Sequence, residues 1–317
     1  MNWKKKFALI STFTGAVACT TATINRIVSF NASKENILYR SSGFYYSWKF
    51  GKIFYKKIGI GKPLLLIHDL QAFSSHEEWE EVINELAKKH TVYAIDLLGC
   101  GRSEKPNILY TNYLYVQLLN DFIKQVIGSK TDVISMGESS SFVLATSHNN
   151  PELINKIIMV SPKSIDDLSQ IPDRRSKTSS WLINLPLVGT FLYHILMRKK
   201  CIGNYFNKEY FFKSDSYTKA MLNKSFEAAH TDSSKAKHLH SSIIGQYTTV
   251  QLNSFLKKLN NSIYIISGDK FFENRAIQKE YQENLPSIEG VIIDNCGNLP
   301  QMNQPVEFIE HTELFLS

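Results

Sequence analysis

Short apolar runs bounded by turn residues alternate along this chain with segments whose apolar positions recur every three or four residues. Tyr45-Tyr46-Ser47-Trp48-Lys49-Phe50 and Lys52-Ile53-Phe54-Tyr55-Lys56 flank Gly51, and their aromatic content predicts two paired strands. Pro63–Ile67, Thr91–Ile95, Thr131–Met136, Ile154–Val160, Ser262–Ser267 and Val291–Asp294 predict further strands, and Pro63–Ile67 is wholly apolar, as a strand covered on both faces is. Between them, Glu77–His90 carries Trp79, Val82, Ile83 and Leu86 at helical spacing, and Tyr113–Ile127, Ser140–Asn149, Glu273–Asn284 and Val306–Phe315 also predict helices. This alternation implies crossover connections and a mostly parallel sheet with helices on both faces. From about Ser164 to Val250 the strand runs stop, and Pro172 and Pro186 punctuate helical, aromatic-rich sequence. The chain therefore divides into an N-terminal segment at 1–30, a core at 40–163, a helical lid at 164–255 and a second part of the core at 256–317.

The N-terminal segment adds a location. Lys4-Lys5-Lys6 precede Phe7–Ile24, a run without a charge. As a helix it would span about 27 Å at 1.5 Å per residue, close to the hydrocarbon thickness of a bilayer. The lysines favour a cytoplasmic N-terminus and an extracytoplasmic folded domain. An uncleaved membrane anchor, a cleaved signal and lipidation at Cys19 all remain open.

Composition narrows the classes. With 317 residues, 43% hydrophobic and 21% charged, this is the make-up of a globular protein. The net charge of +7 comes without a compact basic cluster, so no nucleic-acid partner is expected. Cys19, Cys100, Cys201 and Cys296 lack metal-site spacing, which predicts free thiols and no metal or cofactor.

Four motifs now fall in order: Ile67-His68 after the third strand, Asp96-Leu-Leu-Gly99-Cys-Gly101-Arg-Ser103 after the fourth, Gly137-Glu138-Ser139 after the fifth, and Gly297 to Pro305 after the last. From about Lys52 to its end the chain resembles the α/β-hydrolase family, with a lid inserted after the sixth strand. The resemblance implies an α/β fold, and a serine hydrolase site in which a serine attacks a carbonyl, a histidine takes its proton and a carboxylate orients the histidine. It puts Ser139 at the nucleophile elbow, within Gly137-x-Ser139-x-Ser141. It puts the oxyanion N–H groups at Leu70 and Ser140.

The other two catalytic positions depart from the family pattern. Asn298 follows Gly297 where the family has histidine, and an amide accepts no proton near neutral pH. Phe271 stands where the family has aspartate. Asp69 replaces a glycine common in the family and brings a carboxylate towards the place where negative charge must develop. Of the lid histidines, His238 and His240 are the best candidates for a borrowed base. Two functions follow as expectations: a degenerate member that binds a small apolar ligand or a partner under its lid, or an active hydrolase of small apolar esters or acyl compounds with an unconventional base. Within the lid, Trp181–Met197 is strongly apolar and Arg198-Lys199-Lys200 follow it, so it reads either as a helix over the pocket or as an interfacial helix meeting the bilayer. From Ser164 to Val250 there are 12 Lys plus Arg against 7 Asp plus Glu.

Overall fold

The computed structural model describes residues 3–214 and 216–317, without the side chains of 4–17. Its strands are β1 (Phe44–Trp48), β2 (Gly51–Ile58), β3 (Lys62–Ile67), β4 (His90–Ile95), β5 (Thr131–Met136), β6 (Ile154–Val160), β7 (Ser262–Gly268) and β8 (Glu289–Ile293). They form one sheet in the order β1-β2-β4-β3-β5-β6-β7-β8. The β1–β2 and β2–β4 pairs are antiparallel, and all others are parallel. Leu64 to Ile67 and Val133, Ile134, Ile157 and Ile158 have no exposed surface, so the centre of the sheet is covered on both faces. That is why these strands lack a polar alternation.

The helices, in chain order, are α1 (Trp3–Ser33), α2 (Ile83–Leu86), α3 (Asn112–Phe122), α4 (Ser139–Asn149), α5 (Ile165–Leu168), α6 (Arg174–Asn184), α7 (Val188–Leu196), α8 (Lys199–Tyr205), α9 (Lys219–Ser234), α10 (Lys237–Ile244), α11 (Phe272–Asn284), α12 (Pro300–Asn303) and α13 (Pro305–Leu316). Those from α5 to α10 lie between β6 and β7, where the sequence lacks strand runs. One sheet face packs on α3 and α4 through Leu118, Phe122, Phe142 and Leu144. The other packs Trp79 and Phe308 over Leu64, Leu66 and Ala94.

Two expectations change. The helix expected over Glu77–His90 is a 3-10 turn at His76–Trp79 followed by the four-residue α2. Glu78, which helical spacing would leave on an outer face, is buried and bonded to the β3 loop. The uncharged run Phe7–Ile24 is helical within α1, while the side chains of 7–17 lie outside the described residues. Among the described residues no single helix is long and apolar enough to cross a membrane. The far end of α1 packs on α7 and α9. Asn25 Nδ2 donates to Leu187 O at 3.0 Å, and the Ser29 and Ser234 hydroxyls meet at 2.9 Å. All four cysteines are unpaired.

Candidate functional site

The site lies at the carboxyl ends of the parallel strands, where this kind of sheet opens a crevice. β5 runs into α4 through Gly137 and Glu138, and only Gly137 in this turn has a left-handed backbone, with φ +55°. Its N–H donates to Val160 O at 3.0 Å, which ties the turn to β6. A Cβ added at Gly137 would overlap the Asp69 carboxylate, so both backbone and space call for glycine.

Ser139 falls two residues later, at the first position of α4. It is fully buried, and its Oγ donates to His68 O at 2.7 Å. Ser139, expected at the nucleophile elbow, is therefore a buried donor to backbone and not the exposed hydroxyl that an elbow presents. The alternating small residues Ser135, Gly137, Ser139 and Ser141 fit the elbow pattern in two registers, and the strained position falls on Gly137 rather than on a serine. Ser135-x-Gly137-x-Ser139 was the signal in the sequence that pointed there.

Asp69 dominates the space above this turn. Its Oδ1 accepts from Leu70 N at 2.8 Å and from Glu138 N at 3.0 Å, and Tyr210 OH donates to Oδ2 at 3.2 Å. Two backbone N–H groups from separate loops thus converge on one carboxylate oxygen. Leu70 belongs to this pair, but Ser140 does not: its N–H turns back to Gly137 O at 3.4 Å, and the second donor is Glu138. Beneath, Asp69 N donates to Glu78 Oε2 at 3.0 Å. Burial, with the Asp69 charge nearby, pushes the Glu78 carboxyl up to about 8. Burial likewise lowers His68, whose Nε2 accepts from Leu97 N at 3.0 Å as a neutral imidazole does.

Across the cleft, Asn298 Oδ1 accepts from Asn274 Nδ2 at 2.8 Å, and the same amide donates to Gly268 O at 2.8 Å. Phe271 caps α11, with Lys270 Nζ 5.0 Å from its ring centroid. Asp269 Oδ1 accepts from Cys296 N at 3.0 Å, a structural task. No imidazole is brought to Ser139 among the described residues. His238 Nδ1 lies 2.8 Å from Asn184 Oδ1, His240 packs its ring on Tyr193, and His148 stacks on Phe255.

The cleft itself is about 410 Å³ and has Asp69, Gly137, Glu138 and Asn298 in its wall. For a site expected to take an apolar ligand the lining is mixed: Leu168, Ile243 and Ile277 share it with Lys163, Asp167, Gln170, Glu209 and Gln246. Glu138 Oε2 meets Lys163 Nζ at 2.5 Å. Burial pulls the Lys163 amine down, but the Glu138 and Asp69 carboxylates outweigh it and hold the amine above its ordinary range. Glu138 Oε1 and Ser161 Oγ are buried without a hydrogen-bond partner. Ser161 also has φ +42°, a strained value for a residue with a side chain. No group of three or more His, Cys, Asp or Glu is placed to hold a metal among the described residues.

Comparison with known proteins agrees with this architecture. The family model described as "alpha/beta hydrolase fold" matches residues 62–305. A 2-hydroxy-6-oxo-6-(2'-aminophenyl)hexa-2,4-dienoic acid hydrolase of Metapseudomonas resinovorans is 26% identical over 83% of this chain and 87% of its own. A soluble epoxide hydrolase of Corynebacterium sp. strain C12 is 22% identical over 83% of this chain and 92% of its own. Among solved structures, a serine hydrolase involved in carbazole degradation superposes with a TM-score of 0.70 at 20% identity, covering 87% of this chain and 98% of that one. A membrane phospholipase A superposes with a TM-score of 0.67 at 19% identity over 98% of both chains. With its eight-stranded sheet, its crevice at the strand ends and a family match over most of its length, this chain belongs to the α/β-hydrolase fold family.

Proposed function

We propose that this α/β-hydrolase-family protein does not perform acyl transfer and uses the cleft over Gly137 to bind a small polar ligand. One observation carries the reading: Asp69 Oδ1 occupies the Leu70 and Glu138 N–H groups beside a residue without a side chain. In an acyl-transfer site the strained turn presents the nucleophile, and the N–H groups of the next residue and of the β3 loop await the oxyanion. By that geometry Gly137 holds the nucleophile position. A carboxylate in the hole opposes a second negative charge by roughly 4 kcal/mol at 4 Å and an effective dielectric of 20. Asn298, at the position of the family base, has no proton affinity to offer.

The lining selects the ligand. Four carboxylates, those of Asp69, Glu138, Asp167 and Glu209, share this lining with the single amine of Lys163. A molecule offering N–H or O–H donors, neutral or cationic, fits these walls better than an apolar acyl chain or an anion. The helices between β6 and β7 act in this reading as a lid over it. The alternative, a hydrolase of small apolar esters, draws on relatives that are hydrolases by description, but its candidate nucleophile Ser139 is committed to His68 O.

For location, the reading is an N-terminal anchor. Lys4-Lys5-Lys6 before an uncharged run favour a cytoplasmic N-terminus and an extracytoplasmic domain, and the likeness to a membrane phospholipase A takes in α1. Wild-type protein and Ser139→Ala treated with a fluorophosphonate probe should both stay unlabelled, while a panel of small amines and polyols should contain compounds that raise the wild-type melting temperature. Labelling of wild type that disappears in Ser139→Ala would restore the hydrolase.

A further inference from the structure

The most apolar part of the chain outside the core is not covered. α6 and α7 meet at 104° across Leu185-Pro186-Leu187, so they form a bent hairpin and not a continuous span. On α7, Val188 is 52% exposed and Phe191, Ile195 and Leu196 are exposed with it, at the spacing of one helical face. Trp181 and Leu182 extend the face onto α6, and Trp181 is 62% exposed. α1 continues it on the other side: Ile24, Ile27 and Phe30 are exposed, three residues apart, on a helix tied to the hairpin by the Asn25–Leu187 hydrogen bond. Exposed apolar side chains gathered on adjoining helices mark an interaction surface.

The charges around it decide the occupant. Exposed Arg174, Arg175 and Lys177 stand at the start of α6, and exposed Arg198, Lys199 and Lys200 follow the end of α7. Between Asp173 and Glu209 the chain has no acidic residue. The hairpin is thus apolar at its bend and cationic at both outer ends. Against a second copy of itself, this face would set like charges together in a two-fold contact. Against a bilayer, the bend would enter the boundary between headgroups and acyl chains while the cations meet anionic headgroups.

We propose that the α6–α7 hairpin docks on an anionic lipid bilayer, as a membrane contact additional to the α1 anchor. It stands apart from the ligand of the cleft. It shares the bilayer with the anchor reading, but the measurement below separates the two.

The test uses the full chain in nanodiscs of phosphatidylcholine and phosphatidylglycerol, with plain or brominated acyl chains. The difference in tryptophan emission between wild type and Trp181→Phe isolates Trp181; being exposed, it is replaceable without disturbing the core. The expected result is that the Trp181 emission loses most of its intensity in brominated discs. Arg198→Glu/Lys199→Glu/Lys200→Glu should recover much of that intensity. Equal Trp181 emission in both discs overturns the proposal. If mass measurement then finds two copies per disc, the patch belongs to a dimer instead. Failure of the chain to enter discs at all speaks against the α1 anchor. In that case brominated vesicles of the same lipids, added to the free protein, give the same readout for the hairpin: quenching supports docking, and unchanged emission overturns it.

Discussion

The carboxylate of Asp69 occupies the space that a side chain on Gly137 would need. The two residues are therefore coupled: a nucleophile at 137 and an acid at 69 exclude each other in this backbone. Asp69→Ala should leave the buried Leu70 and Glu138 N–H groups without their acceptor, at a cost of about 1–3 kcal/mol. The vacated pair of donors should then take a small anion, so acetate should raise the melting temperature of Asp69→Ala and not that of wild type. Asp69→Asn, which keeps an acceptor oxygen, should lose less. An Asp69→Ala variant as stable as wild type and indifferent to acetate would mean that Asp69 does not occupy these donors.

Ser139 tests the register of the turn from the other side. If its hydroxyl is a structural donor to His68 O, Ser139→Ala should cost about 1 kcal/mol in urea unfolding, the net worth of one hydrogen bond, and change no reactivity. Asn298→His should create no esterase, because an imidazole there would find Gly137 and no hydroxyl. Measurable turnover of p-nitrophenyl acetate by Asn298→His, abolished by Ser139→Ala, would contradict this placement.

How much of this was legible beforehand depended on whether a residue's task is local. The strand Ile154–Val160 was readable because Ile157–Val160, an apolar run with Ile154 three residues before it, suits a strand whose carboxyl end is buried on both faces. The tight turn was not, since Ser135, Gly137, Ser139 and Ser141 are all small and only the backbone angle separates one register from the other. Asp69 was visible as an intruder beside the oxyanion loop. That Glu138, and not Ser140, would share it with Leu70 required the turn to be placed first. The segment after His76 looked helical because Trp79, Val82, Ile83 and Leu86 keep helical spacing. Its apolar residues are indeed buried, but Glu78 also turns inward to receive Asp69 N, and the helix gives way to a 3-10 turn.

Glu78 gives a pH dependence with a definite sign. Its carboxyl is raised from 4.5 to about 8, first by burial and then by Asp69. Between those values the folded protein holds a proton that the unfolded chain has released. Stability from this group is therefore full below 4.5 and is lost as pH rises through about 8. Glu78→Gln keeps an oxygen acceptor for Asp69 N and cannot ionise. Urea midpoints measured across that window should fall more steeply with pH for wild type than for Glu78→Gln, and equal slopes would mean that Glu78 ionises freely.

The helices around Tyr193 should respond to acid in the opposite sense. His194, His230 and His240 surround the ring of Tyr193, with His194 and His230 stacked 5.2 Å apart at 8°. Burial lowers each of them from 6.5 to about 4. Between those values the unfolded chain binds protons that the folded one refuses, so their contribution is complete above 6.5 and disappears as pH falls to about 4. Both ring nitrogens of His240 are buried without a partner, so His240→Leu removes a titrating group and breaks no hydrogen bond. Its melting temperature should match or exceed that of wild type near neutrality and fall less on acidification. The remaining decline should be carried by His194 and His230, because two imidazolium rings in parallel contact repel. If His240→Leu loses stability at neutral pH and keeps the full acid slope, the ring has a packing role that its unpartnered nitrogens do not reveal.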